Sequence, residues 1–219
     1  MMSKDQTPTN AQELPSWTLN SRLFDEERMY AYVQSKAQSL GLPQTLAALP
    51  FAREKHRGQV RKASEPIPYI IHPLTLACHA LAMNLTDDDL LAALLLHDVV
   101  EDTGTPLSEL PVGDRVREIV ALVSYNTYPG EKEAIKAEYY AHIVGDATAA
   151  LVKCIDRCNN LSGMADGFDR GKMASYIRQT EKDILPLLSV VKAEPAYNSA
   201  AWLLHYQMTA LLEMAKRML

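Results

Sequence analysis

The chain has 219 residues, with 47% hydrophobic and 22% charged content, the balance of an ordinary soluble globular protein large enough for one domain with or without a terminal extension. Its formal net charge of −5 argues against a general nucleic-acid binder, which would carry a basic excess, and no apolar run approaches the roughly 18 to 20 residues that span a bilayer. The opening "MMSKDQTPTNAQELPSW" is polar, with no apolar signal-peptide core, so the chain is expected in the cytoplasm.

Taken in chain order, residues 1–20 read as a flexible tail, and a helical pattern over 21–40 is broken by "GLPQ". A second helix covers 44–59. The stretch "RKASEPIPYI" is loop, by its prolines and serine, and enters a short extended piece at 69–71. Pro73 suits the first turn of a helix running to about residue 84. The next helix covers 86–103, with Thr86 as its N-cap and three aspartates in its first turn. Helices follow over 114–124, 131–144 and, after a Gly145-Asp146 break, 146–160. "SGMADGFDRG" reads as loop, 172–188 as helix, and 196–219 closes the chain with apolar residues at helical spacing. No hairpin signal or internal repeat is visible. The fold class is all-α, a bundle of roughly eight to ten helices, with residues 21–219 forming a single domain.

The stretch "LLLHDVVEDT" passes within ten residues from apolar helix to acid. Residues 90–96 are all apolar, so this helix has no solvent face and is buried on most sides. Asp98, Glu101 and Asp102 then share a face near its C-terminus, and His97 lies one turn below Glu101. Three carboxylates on one side of a buried helix, at the negative end of its dipole, repel one another unless a cation sits among them. A divalent metal is the economical answer, and His97 and Asp98 then need partners from other helices. His72, in "YIIHP", follows an apolar triplet at a helix mouth. Asp156, in "ALVKCIDRCNN", interrupts another apolar helix. Each alone has a structural reading, as a core histidine or as an ion pair with Arg157. Together they form a mixed nitrogen and oxygen set suited to Mn²⁺, Fe²⁺ or Zn²⁺.

Three cysteines, Cys78, Cys154 and Cys158, make no disulfide framework; the latter pair reads as buried thiols, with zinc the alternative. Positive charge is concentrated at Arg53, Lys55, Arg57, Arg61 and Lys62, against Glu54 alone. That run is either a solvated helix face or a local field for an anionic substrate.

The order His … His-Asp … Asp resembles the HD superfamily of metal-dependent phosphohydrolases. "AREKHRGQVRK", "PYIIHP", "LAALLLHDVVEDT" and "VKCIDRCNNL" narrow the likeness to the hydrolase domain of the RelA/SpoT alarmone enzymes and their small stand-alone relatives, over residues 46–188. The resemblance implies that His72, His97, Asp98 and Asp156 hold a metal, usually manganese, and that Glu101 and Asp102 position and activate the attacking water. It implies further that Arg61 and Lys62 meet the nucleotide and that Asn160 lies near its ribose and phosphates. His56 lies beside the basic run, where it either touches substrate or is a buried helix histidine. The implied partner is a small phosphorylated nucleotide. The implied reaction removes pyrophosphate from the 3′ position of guanosine tetra- or pentaphosphate, leaving GDP or GTP.

Two departures bear on the base. The loop "ASEPIP" is longer than the "SGEP" of the long enzymes, and Ser162-Gly163 stands where the family often has Arg-Thr. An HD phosphohydrolase for another nucleotide (an adenosine alarmone, NADPH or a nucleoside monophosphate) would keep every metal residue. A non-catalytic alarmone-binding domain would lose at least one, and none is lost. No synthetase activity is expected, because the chain ends where a long enzyme begins its synthetase domain.

Overall fold

The structure is a computed structural model, and residues 25–61 and 67–219 are described. The expected tail, the first residues of the expected first helix, and Lys62 with the start of the "ASEPIP" loop lie outside them. Among the described residues the fold is helical throughout, apart from one small hairpin. Helices α1 (Glu26–Leu40) and α2 (Pro43–Lys55) come first. Strands β1 (Val60–Arg61) and β2 (Ile67–Pro68) follow, paired antiparallel with Val60 opposite Pro68. Then come α3 (Ile71–Ala82), α4 (Asp88–Leu96), α5 (Val99–Thr103), α6 (Asp114–Val123) and α7 (Lys132–Val144). The chain closes with α8 (Ala147–Gly167), α9 (Arg170–Gln179), α10 (Leu187–Ala193) and α11 (Asn198–Met218).

The all-apolar run becomes the central helix. Every residue of α4 from Leu90 to Leu96 is buried, enclosed by α2, α3, α6 and α8. The aspartates before that run divide the work of capping. Asp87 is the N-cap, accepting from Leu90 N at 2.7 Å, in place of the expected Thr86. Asp88 instead reaches across to the start of α2, accepting from Gln44 N at 3.0 Å and Thr45 N at 2.8 Å. One acidic triplet thus closes two helix N-termini, whose unpaired N–H groups and positive dipole ends favour carboxylates.

Four expectations are corrected. The helix expected over 86–103 breaks at His97-Asp98 into α4 and α5, so Glu101 and Asp102 lie in the first turn of a new helix, not at the end of an old one. α8 runs on to Gly167, through the "SGMADG" expected as loop. Cys154, Cys158, Leu161 and Met164 continue its buried face at helical spacing, and that burial outweighs the weak helix propensity of Ser, Gly and Asp. The hairpin was not foreseen because two residues per strand are too few to display alternation. The helix expected over 172–188 is also interrupted, by a π-helical turn over Thr180–Ile184, on which Arg157 is anchored through Thr180 Oγ1 at 3.1 Å. No helix among the described residues is long and apolar enough to cross a membrane.

Candidate metal centre and the adjoining cavity

Three helices and one break between helices converge on a single buried point. His72 lies in the first turn of α3, His97 ends α4, Asp98 opens α5, and Asp156 comes from the middle of α8. His72 Nε2 is 3.2 Å from Asp156 Oδ1 and 3.5 Å from Asp98 Oδ2. His97 Nε2 is 2.9 Å from Asp98 Oδ2 and 3.9 Å from Asp156 Oδ1. Ligand atoms of His72, His97 and Asp156 all lie within 4.8 Å of one another, close enough for one ion.

The surroundings fix which ring nitrogen faces inward. His97 Nδ1 lies 2.9 Å from the Leu94 carbonyl, which can only accept, so Nδ1 carries the hydrogen and Nε2 is left to act as a ligand. His72 Nδ1 lies 2.7 Å from Asn159 Oδ1. The Arg61 guanidinium donates to that same oxygen at 3.4 Å, which holds the amide with its oxygen toward the histidine. His97 Nε2 is buried, and despite its short approach to Asp98 it has no aligned hydrogen-bond partner. Buried imidazole nitrogens turned toward two carboxylates are what a cation would complete, so this donor set fits a divalent metal.

Electrostatics keep the carboxylates charged. Burial alone would raise the pKa of Asp98, but the His97 and His72 rings beside it hold it well below the ordinary carboxylate range. Asp156 is depressed likewise: burial opposes, and Lys153, whose Nζ is 3.2 Å from its Oδ2, prevails with the two histidines. His97 is shifted upward, with burial working against the shift and Asp98 and Asp156 outweighing it.

Asp102 is joined to this centre through Tyr69. The tyrosine hydroxyl donates to Asp98 Oδ2 at 2.7 Å and also meets the Asp102 carboxyl. Burial, followed by the Asp98 charge, holds Tyr69 protonated as that donor. Desolvation of its inner side and the neighbouring Asp98 and Glu101 charges raise the pKa of Asp102. Glu101 is held from the other direction, its Oε2 accepting from Tyr125 N at 3.1 Å. His56 is buried and stacks on Tyr69 with ring centroids 4.7 Å apart; its Nδ1 meets Gln59 Oε1 at 2.7 Å. Asn160 binds Asp156 Oδ1 at 2.5 Å and also accepts from Arg61. Lys62 lies outside the described residues.

The sequence reading missed Tyr69, Asn159 and Lys153. Each had a signal: Tyr69 and Lys153 stand three residues before a ligand, and Asn159 sits beside Asn160 on the helix that carries Asp156. The expected clustering of the basic run is only partly realised. Arg61 reaches the site, whereas Arg53 pairs with Glu26 and Glu27, Arg57 with Glu54, and Lys55 with Glu109.

A cavity of about 660 Å³ opens beside the centre, bounded by α3, α8, α11 and the hairpin. His72, Arg61, Asn159 and Asn160 form its end nearest the metal ligands, and Ile67, Ile71, Met164, Phe168 and Leu211 contribute apolar wall.

An all-α fold that brings two imidazoles and two carboxylates from separate helices to one buried point is the architecture of an HD-type hydrolase of the RelA/SpoT kind. No family model matches the chain. Among curated proteins it is similar to the guanosine-3′,5′-bis(diphosphate) 3′-pyrophosphohydrolase MESH1 of Homo sapiens, at 41% identity over 144 residues, covering 61% of this chain and 78% of the relative. MESH1 of Xenopus tropicalis is 37% identical over 142 residues, with the same shares covered. The bifunctional (p)ppGpp synthase/hydrolase SpoT of Escherichia coli K12 is 37% identical over 118 residues, 50% of this chain but 16% of that longer protein. A solved structure, described as a metazoan ortholog of SpoT that hydrolyzes ppGpp and plays a role in starvation responses, shares the fold. Its TM-score is 0.63 at 24% identity, over 78% of this chain and 94% of that one. The chain belongs to the MESH1 family of guanosine-3′,5′-bis(diphosphate) 3′-pyrophosphohydrolases.

Proposed function

We propose that residues 21–219 form one hydrolase domain that removes pyrophosphate from the 3′ position of guanosine tetra- or pentaphosphate, leaving GDP or GTP respectively, with Mn²⁺ held by His72, His97, Asp98 and Asp156. The observation that carries this reading is the inward pair of Nε2 atoms facing Asp98 and Asp156, at one end of a cavity of nucleotide size. The mixed nitrogen and oxygen set favours a transition metal over Mg²⁺ or Ca²⁺. Such an ion would make a water acidic enough to attack phosphorus and would neutralise phosphoryl charge.

The chain's own groups supply the rest. Glu101 and Asp102, on the short helix that Asp98 opens, orient the water and take its proton. Asp102 is the better placed of the two by contact, since it shares the Tyr69 hydroxyl with Asp98. Its raised pKa makes it a more willing proton acceptor than an ordinary aspartate. Glu101, anchored by Tyr125 N, holds the other side of the water. Arg61 and Asn160 meet the ribose and the 3′ phosphates, with Lys62 contributing charge. His56, packed against Tyr69, sets the place of that ring.

The test is a panel of guanosine and adenosine 3′-diphosphates, NADPH and nucleoside monophosphates, assayed with Mn²⁺ after removal of all metal. Pyrophosphate release from the guanosine compound, absent without metal and restored by Mn²⁺, is the expected result. Turnover in the stripped protein, or preference for another member of the panel, would overturn the assignment.

A further inference from the structure

The end of the cavity away from the metal ligands is built differently from its walls. His79 is on the same face of α3 as His72, seven residues on, which is two turns or about 10.5 Å along the axis. Gly163 stands in the same relation to Asp156 on α8. The cavity is lined by both helices, from His72 to His79 on α3 and from Cys158 to Gly167 on α8, and α11 closes it. Its walls are largely apolar, but the His79 imidazole and the Gln207 side chain of α11 also line it. His79 Nε2 is buried without an aligned hydrogen-bond partner, and burial, opposed by the nearby Gln207 side chain, lowers the pKa of the ring. Gln207 Oε1 accepts a weak hydrogen bond from the Cys158 thiol at 3.7 Å, and the Gln207 side chain also meets the His79 ring. α11 lies beyond the 46–188 stretch that carries the family resemblance. Gly163, where the family often has threonine, leaves open space: a Cβ there would meet nothing within 4 Å.

We infer that His79 and Gln207 read the edge of the nucleotide base, so that α11 takes over base recognition where Ser162-Gly163 replaces the family's Arg-Thr. The inference rests on the nucleotide reading proposed above. Apolar walls accept the faces of a heterocycle, and its edge needs both donors and acceptors at the end. The Gln207 amide offers one of each kind, and a neutral imidazole adds a further donor or acceptor. A buried polar atom without an aligned partner inside the protein gains from a ligand that supplies one. His79 Nε2 is such an atom.

The test is calorimetric binding of GDP and of ribose 5-diphosphate to the Mn²⁺-loaded protein, for wild type, Gln207→Leu and His79→Leu. GDP should bind wild type more tightly than the base-less compound. Each substitution should weaken GDP by about 3- to 10-fold, the worth of a neutral hydrogen bond, and leave ribose 5-diphosphate unchanged. Thermal unfolding of both variants close to that of wild type would show that weakened binding is not due to a damaged fold, and ribose 5-diphosphate serves as the second control. Equal affinity of GDP in wild type and both variants, or equal losses for the two ligands, would overturn the inference. Base-dependent binding that needs Gln207, in a protein that cleaves none of the 3′-diphosphates, would uphold it while the proposed reaction fell.

Discussion

The two ends of the cavity were built by different means. At the metal end every side chain is fixed before any ligand arrives: two imidazoles have their tautomers set by Leu94 O and Asn159, and two carboxylates are braced by Tyr69, Lys153 and Asn160. At the other end support is sparser: His79 Nε2 has no aligned partner, and Gln207 meets the Cys158 thiol and the His79 ring. A site for an ion must be preorganised because ligand geometry decides affinity, and its supporting hydrogen bonds are part of it. The inferred base site needs less, since each hydrogen bond to a base contributes on its own. The contrast predicts that damage at the metal end abolishes function outright, whereas damage further along is graded.

The largest effect should come from Asp98→Ala. It removes the proposed anionic ligand and leaves His97 without the carboxylate 2.9 Å away, so metal content by elemental analysis and hydrolysis should fall together to background. A variant that keeps one metal per chain would separate Asp98 from the centre. Asp102→Asn comes next. Metal should remain while turnover drops by roughly 10² to 10⁴, the usual worth of general acid–base catalysis. Metal loss in that variant would make Asp102 a ligand instead.

Asn159→Leu sharpens the comparison, because it touches only the support. With the 2.7 Å partner of His72 Nδ1 gone, the ring is free to rotate, and Mn²⁺ affinity should weaken by about 10- to 100-fold while saturating Mn²⁺ restores most of the turnover. Unchanged affinity would mean that His72 is held by packing alone. The smallest effect concerns Gly163→Ala. The added methyl meets nothing, so the substitution should raise the stability of α8 by up to about 1 kcal/mol and leave metal content untouched. Thermal unfolding would show it, and a lower melting temperature would mean that the helix needs glycine there.

By itself the sequence determined the all-α class, the central apolar helix and the four residues that converge. Those features depend on local periodicity and on residues too polar for the places they occupy: His72, His97, Asp98 and Asp156 each interrupt or end an apolar run. Chain-local patterns could not show where α4 ends, and reading 86–103 as one helix put Glu101 and Asp102 at the wrong pole of a dipole. Nor could they show that α8 continues through Ser162 and Gly163, since burial of Leu161 and Met164 against other helices outweighs local propensity. Tertiary structure alone brought Tyr69 and Asn159 to the ligands, separated Arg61 from the rest of its basic run, and laid α11 along the cavity. Each of these is a contact between residues far apart in the chain, and a spacing pattern carries information only about residues that are neighbours on the same helix or strand.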